Sequence, residues 1–183
     1  MPTVLITGGI RSGKSRFAEN YLIDHGNPPW IYLPTGTASD EEFKDRIERH
    51  RKNRDTRIET LEGFSEAWNL EMSSSSELHR ISKTASILLD SMGLMVSMAL
   101  ERHPEEPVQG ILERIAPFLD FLQNRPGLGV IVSEEAGLGG VPMTLVGRRF
   151  VDCLGECNQL LASGSESVYF LAAGYPILLK SKP

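Results

Sequence analysis

Gly8, Gly13, Lys14 and Ser15 stand in the stretch TVLITGGIRSGKSRFAE, Thr3 to Glu19, at the spacing G-x-x-x-x-G-K-[ST]. This spacing belongs to phosphate chemistry. Glycines let the main chain wrap a phosphate with its N–H groups turned inward, and a helix starting there adds partial positive charge where the anion lies. A lysine so placed bridges the β- and γ-phosphate oxygens of a triphosphate, and the next hydroxyl ligates Mg2+. The expected nucleotide-binding residues are therefore Gly8, Gly9, Ile10, Arg11, Ser12, Gly13, Lys14 and Ser15, with Lys14 also catalytic and Ser15 a metal ligand.

Such a site needs a second acid for the metal, at the end of a neighbouring strand. Asp90 follows SILL, and Glu134 with Glu135 follows VIVS. In a parallel sheet both strand ends lie on the rim that carries the loop. Asp90 is the preferred nucleotide- and metal-site acid, with Glu134 and Glu135 as the alternative. A third feature is DEEFKDRIERHRKNR, in which Phe43 and Ile47 form a helical stripe that His50 and Arg54 continue, with Arg46 alongside. The pattern expects a leucine at position 50. Periodicity alone reads this segment as a solvated basic face and its histidine as a surface or core residue.

The elements that must hold these residues alternate. TVLIT, WIYL, ASILLD, GVIVSEE and SVYFLAA are short apolar runs that read as strands covered on both faces. Between them, helices are expected at Ser15 to Ile23 (ended near Gly26), at about Asp40 to Asn53, in the Met-rich run after Asp90, at Val108 to Gln123 and at about Leu145 to Ala162. The segment from Arg57 to Lys83 is less legible; ETLEGFSEAWNLEM reads as holding a short helix, and Ser73 to Ser76 as a surface loop. Strand–helix alternation implies an α/β fold, a parallel sheet with helices on both faces. No repeat or linker divides it, so residues 1–183 are expected to form a single P-loop nucleotide-binding domain.

Composition narrows the function classes. The chain has 183 residues, 23% charged and 40% hydrophobic, and a net charge of −5. A modest acidic balance argues against a general nucleic-acid binder and for a small ligand. Cys153 and Cys157 lie four apart on one helix face, an arrangement for packing thiols rather than a bridge or a zinc site. The longest apolar run is broken by Asp90 and too short to span a bilayer, and no signal peptide is visible, so a cytoplasmic protein without stable membrane insertion is expected.

GGIRSGKSRFAE, YLPTGTASDEEFKDRIERHRKNR, the acid in ILLDS, VSEEAGLGGVP and RRFVDCLGECNQLLA, in this order across most of the chain, resemble the bifunctional adenosylcobinamide kinase / adenosylcobinamide-phosphate guanylyltransferase family of cobalamin biosynthesis. The resemblance implies a P-loop NTPase of the RecA-like class, a ring-like homotrimer, and GTP, ATP and a corrinoid as substrates, with Mg2+. In that family a nucleoside triphosphate phosphorylates the aminopropanol hydroxyl of adenosylcobinamide; GTP then passes GMP to a histidine, and the phosphorylated corrinoid takes it up as adenosylcobinamide-GDP. The family histidine matches His50, and Pro34, Thr35, Gly36, Arg51, Arg54, Glu62 and Asp90 join the nucleotide-binding set. A neutral imidazole is a good nucleophile near pH 7, and Arg46, Arg51 and Arg54 would neutralise charge developing on the triphosphate.

The chain departs from the family pattern at three places. Gly93 stands where a Thr is usual, Glu134 where Asn is common, and Ile58 where Trp is usual. These positions bear on the corrinoid and base contacts more than on the phosphate chemistry. Two other readings remain open at this stage: a small-molecule P-loop kinase without guanylyl transfer, and a nucleotide-gated assembly protein.

Overall fold

The computed structural model describes residues 3–36, 54–61 and 81–181. Seven strands form one sheet: β1 (Thr3–Gly8), β2 (Trp30–Pro34), β3 (Ile58–Thr60), β4 (Ser86–Asp90), β5 (Gly129–Glu134), β6 (Ser167–Ala172) and β7 (Tyr175–Ser181). Their spatial order is β3-β2-β4-β5-β1-β6-β7, and every pair is parallel except β6 with β7. The described helices are α1 (Lys14–His25), α2 (Met92–Arg102), α3 (Val108–Gln123) and α4 (Leu145–Gly164).

The central strands are apolar on both faces because both faces are covered. Val4, Ile6, Leu88, Val130 and Val132 pack with Ala18 and Leu22 of α1. Leu5, Leu33, Ile87, Leu89 and Ile131 point the other way, into a core closed by α2, α3 and α4. Each strand thus splits its residues between two layers with period two, which a run such as TVLIT conceals. In α3 the stripe Ile111, Leu112, Ile115, Phe118, Leu119 and Leu122 is buried, whereas Pro117 sits on the exposed side. Cys153 and Cys157 are buried together on α4 as free thiols.

The mostly parallel sheet with helices on both faces matches the sequence expectation, and α3 has the expected limits. Two strands were not anticipated. Ile58–Thr60 pairs with β2 at the sheet edge, at the start of the stretch from Arg57 to Lys83 that the sequence leaves less legible. SVYFLAA is not the last strand either. Ala173 and Gly174 both take left-handed backbone (φ 50 and 87), the two-residue turn that matches the twist of an antiparallel hairpin, and β7 returns along β6. The helix expected at about Asp40 to Asn53 lies outside the described residues.

Candidate active site

The loop from Gly8 to Gly13 joins β1 to α1 at the C-terminal edge of the sheet. Gly13 caps α1 with left-handed backbone (φ 93), a conformation that favours glycine, and contributes no side chain to the cap. The first-turn amides of α1 are therefore left for an outside acceptor. The loop is braced internally by the Ser12 amide donating to the Gly9 carbonyl at 3.2 Å, and laterally by the Gly174 amide donating to the Ser12 carbonyl at 2.9 Å. The unexpected β6–β7 hairpin is thus a wall of the loop.

Lys14 is 7% exposed, and its Nζ donates to the Gly9 carbonyl at 2.8 Å. Its charge is folded back over the cradle. Ser15 is half-buried beside it, whereas Ile10 and Arg11 are exposed. The hydroxyls of Thr7, Ser12 and Ser91 are buried without a hydrogen-bond partner among the described residues. Orphaned hydroxyls around a cradle of open amides are what a polyanion with its cation would satisfy.

Asp90 ends β4, two strands from β1, with β5 between them. The Tyr32 hydroxyl donates to its Oδ2 at 3.1 Å. Burial, then the nearby Asp90 charge, raises the Tyr32 pKa, so the hydroxyl keeps its proton and remains a donor. The Arg54 guanidinium lies 3.4 Å over the Tyr32 ring, donates to Thr60 Oγ1 at 2.7 Å, and stands 3.6 Å from Glu19 Oε1 on α1. Burial raises the Glu19 pKa against the opposing pull of Arg54. Arg54, 8% exposed in its side chain, thereby ties the helix of the phosphate loop to two strands and, through Tyr32, to Asp90. Tyr32, Glu19 and Thr60 escaped sequence reasoning. Only the spacing of Glu19 one helical turn beyond Ser15 hinted at a shared face.

Pro34 pairs with Asp90 across β2 and β4, and Thr35 follows, only 1% exposed. The Thr35 amide donates to the Asp90 carbonyl at 3.1 Å, its Oγ1 donates to the Ser91 carbonyl at 2.8 Å, and the Ser91 amide donates to that Oγ1 at 2.6 Å. Three bonds from one residue fix the turn behind Asp90. Gly36 is the last residue described on this segment.

Glu134 is aligned with Gly8 by strand register, and the Glu135 amide donates to the Gly8 carbonyl at 3.0 Å. The Glu134 carboxylate accepts from the Gly93 amide in the first turn of α2 at 3.0 Å. Ile58 is buried in the layer under α1, so this departure from the family pattern falls on a core position of β3. His50, Arg51 and Glu62, with Arg46, lie outside the described residues. The structure brings together the loop, Pro34, Thr35, Asp90 and Arg54. Among the described residues no cluster of three or more His, Cys, Asp or Glu forms a metal cage. Mg2+ does not call for one, since it is typically held by one or two protein groups together with substrate phosphates.

The family model described as cobinamide kinase / cobinamide phosphate guanyltransferase matches residues 4–179. A bifunctional adenosylcobalamin biosynthesis protein CobP of Pseudomonas aeruginosa is 36% identical over 179 residues, covering 98% of both chains. A bifunctional adenosylcobalamin biosynthesis protein CobU of Escherichia coli K12 is 31% identical, covering 97% of this chain and 99% of its own. Among solved structures, a KaiC-like protein from Pyrococcus horikoshii OT3 aligns with 98% of this chain and 79% of its own, at 15% identity and a TM-score of 0.48.

Proposed function

We propose, because this chain belongs to the cobinamide kinase / cobinamide phosphate guanyltransferase family, that it phosphorylates adenosylcobinamide and then transfers GMP from GTP to the product through a guanylyl-histidine on His50. The observation that carries this reading is the uncapped α1 terminus with Lys14 folded over the Gly8–Gly13 loop. It offers amides and a cation to one triphosphate.

In the first reaction ATP or GTP lies with its phosphates in the loop, and Lys14 leaves the Gly9 carbonyl for the β- and γ-oxygens. The corrinoid hydroxyl attacks the γ-phosphorus and releases its proton to solvent, the bond from that phosphorus to the bridging oxygen breaks, and a nucleoside diphosphate leaves. The orphaned hydroxyls and the half-free Asp90 carboxylate fit a magnesium ion. Ser15 and Asp90 would hold Mg2+, which supplies charge neutralisation on the phosphate oxygens. Tyr32 and Thr35 keep Asp90 facing the loop.

In the second reaction a neutral His50 ring nitrogen attacks the α-phosphorus of GTP and pyrophosphate departs. A phosphate oxygen of adenosylcobinamide phosphate then attacks the same phosphorus, the P–N bond breaks, and adenosylcobinamide-GDP is released with the imidazole restored. Splitting the transfer replaces one difficult displacement by two easier ones. Arg51, Arg54 and Glu62 complete the nucleotide contacts; for Arg54 this requires exchanging its Glu19 partner for phosphate. Residues 1–183 act as a single P-loop domain, in a cytoplasmic homotrimer that takes small-molecule substrates and no nucleic acid.

Incubation with GTP labelled at the α-phosphate tests the proposal. Acid-labile, alkali-stable label on the protein, absent from His50→Ala, is expected. Phosphorylation of adenosylcobinamide without protein-bound label would leave a plain kinase. Absence of both, with an oligomer that changes size on nucleotide addition, would leave an assembly protein.

A further inference from the structure

We propose that Gly93 and Glu134 are a matched pair that fills the α2 terminus with the protein's own anion, so that this part of the rim takes an uncharged hydroxyl-bearing ligand and disfavours its phosphate ester. The parallel sheet puts two long helices at one edge with their N-termini beside the site: α1 after β1, and α2 after β4. Each terminus attracts an anion by its open amides and partial charge. At α1 the capping residue is a glycine and no side chain intrudes. At α2 the amide of Gly93 is held by Glu134 Oε2 at 3.0 Å.

Gly93 is what admits that carboxylate. A Cβ at position 93 would stand 2.1 Å from Glu134 Oε2 and 3.0 Å from its carboxyl carbon, so any side chain there evicts the acid. The residue that would ordinarily cap α2, Ser91, makes no capping bond; the residue is 3% exposed, and its Oγ is buried without a partner among the described residues. Two departures from the family pattern, far apart in the chain, are therefore one change in space. The register of β5 with β1 sets Glu134 level with Gly8, at the edge of the loop. No cation among the described residues pairs with it.

The consequence is selectivity by charge. With Oε2 occupied by the amide, the carboxylate offers its remaining acceptor capacity to a hydroxyl, while a phosphate monoester in the same position meets a like charge, so the ester made in the first reaction leaves this position before it takes up GMP. This inference rests on the kinase reading above for the identity of the alcohol, adenosylcobinamide, and its ester. Glu134 is a specificity-determining residue in this scheme.

The test compares Glu134→Gln, Glu134→Ala and Gly93→Ala with the parent enzyme. Gln can still accept from the Gly93 amide, so its melting temperature should stay within about 3 °C of the parent. Its KM for adenosylcobinamide should rise and its product inhibition constant should fall, changing the ratio of the two about tenfold, with KM for the nucleotide unchanged. An unchanged ratio in a stably folded Glu134→Gln overturns the proposal. Gly93→Ala and Glu134→Ala should lose similar stability and combine without adding; simple additivity contradicts the pairing.

A second measurement needs no corrinoid, and separates failure of the pair from failure of the kinase reading. Thermal shift with inorganic phosphate should show little stabilisation of Lys14→Ala, but renewed stabilisation of Lys14→Ala/Glu134→Ala, in which the Gly93 amide loses its carboxylate and the α2 terminus opens to the anion. If the double variant stays unresponsive, the proposal fails whatever the enzyme turns over.

Discussion

Gly8→Ala should destabilise the protein severely, while Gly9→Ala, one residue along the same loop, should leave stability almost untouched. Gly8 has φ 152, a region that L side chains rarely adopt, and a Cβ there would lie 2.5 Å from the Leu171 carbonyl oxygen of β6. That obstacle is main chain in a paired strand and cannot swing away. Backbone strain of roughly 1–3 kcal/mol joins overpacking of about 1–3 kcal/mol, for a combined loss of about 3–4 kcal/mol. A Cβ at Gly9 meets nothing within 4 Å, so the ordinary surface range of about 0.5 kcal/mol applies there. Urea unfolding followed by circular dichroism is the assay. With a slope of about 1–3 kcal/mol/M, the Gly8→Ala midpoint should fall by more than about 1 M and the Gly9→Ala midpoint by less than about 0.5 M. Equal midpoints for the two variants would refute the packing of the loop against β6.

Three further outcomes follow from the same geometry. Tyr32→Phe removes only the hydroxyl bonded to Asp90 and keeps the ring beneath Arg54, so unfolding should lose about 1.5–3 kcal/mol, the range for a bond to a charged acceptor; a change under about 0.3 kcal/mol in urea titration would remove the hydroxyl from the network. Burial lifts the Glu19 pKa in the folded state above its ordinary 4.5, so its contribution is full below that value and lost as pH rises through the folded pKa; the stability of the parent relative to Glu19→Gln should therefore decline from pH 4 to pH 7, and a flat or rising difference would contradict this. The Cys157 thiol is pushed up to about 12 by burial, and burial raises Cys153 as well, so a thiol reagent at pH 8 should modify both only in unfolded protein; rapid reaction of either thiol in the folded state would contradict the α4 packing.

The phosphate loop could be read from sequence because its geometry is local: glycines, lysine and serine act within one turn between a strand and a helix. The central strands were readable because burial on both faces makes them continuous apolar runs, and α3 because its buried stripe repeats cleanly over sixteen residues. Ile58–Thr60 was not, since a three-residue edge strand holds one buried apolar side chain and owes its conformation to β2. The strand β7 was hidden for the opposite reason. Tyr175, Ile177, Leu178 and Leu179 are exposed, and its turn uses an alanine at positive φ, where sequence rules look for Asn or Gly. The Asp90 network was out of reach because Tyr32 and Asp90 are 58 residues apart and meet only through sheet pairing. The contact of Gly93 with Glu134, 41 residues apart, likewise arises between a helix start and a strand end that no local pattern connects.

The most direct measurement of the central claim is a chase. Protein guanylylated with α-labelled GTP, freed of nucleotide, is mixed with adenosylcobinamide phosphate. The account predicts that label leaves His50 and appears in adenosylcobinamide-GDP at least as fast as steady-state turnover. Label that stays on the protein, or moves more slowly than turnover, would contradict the covalent route.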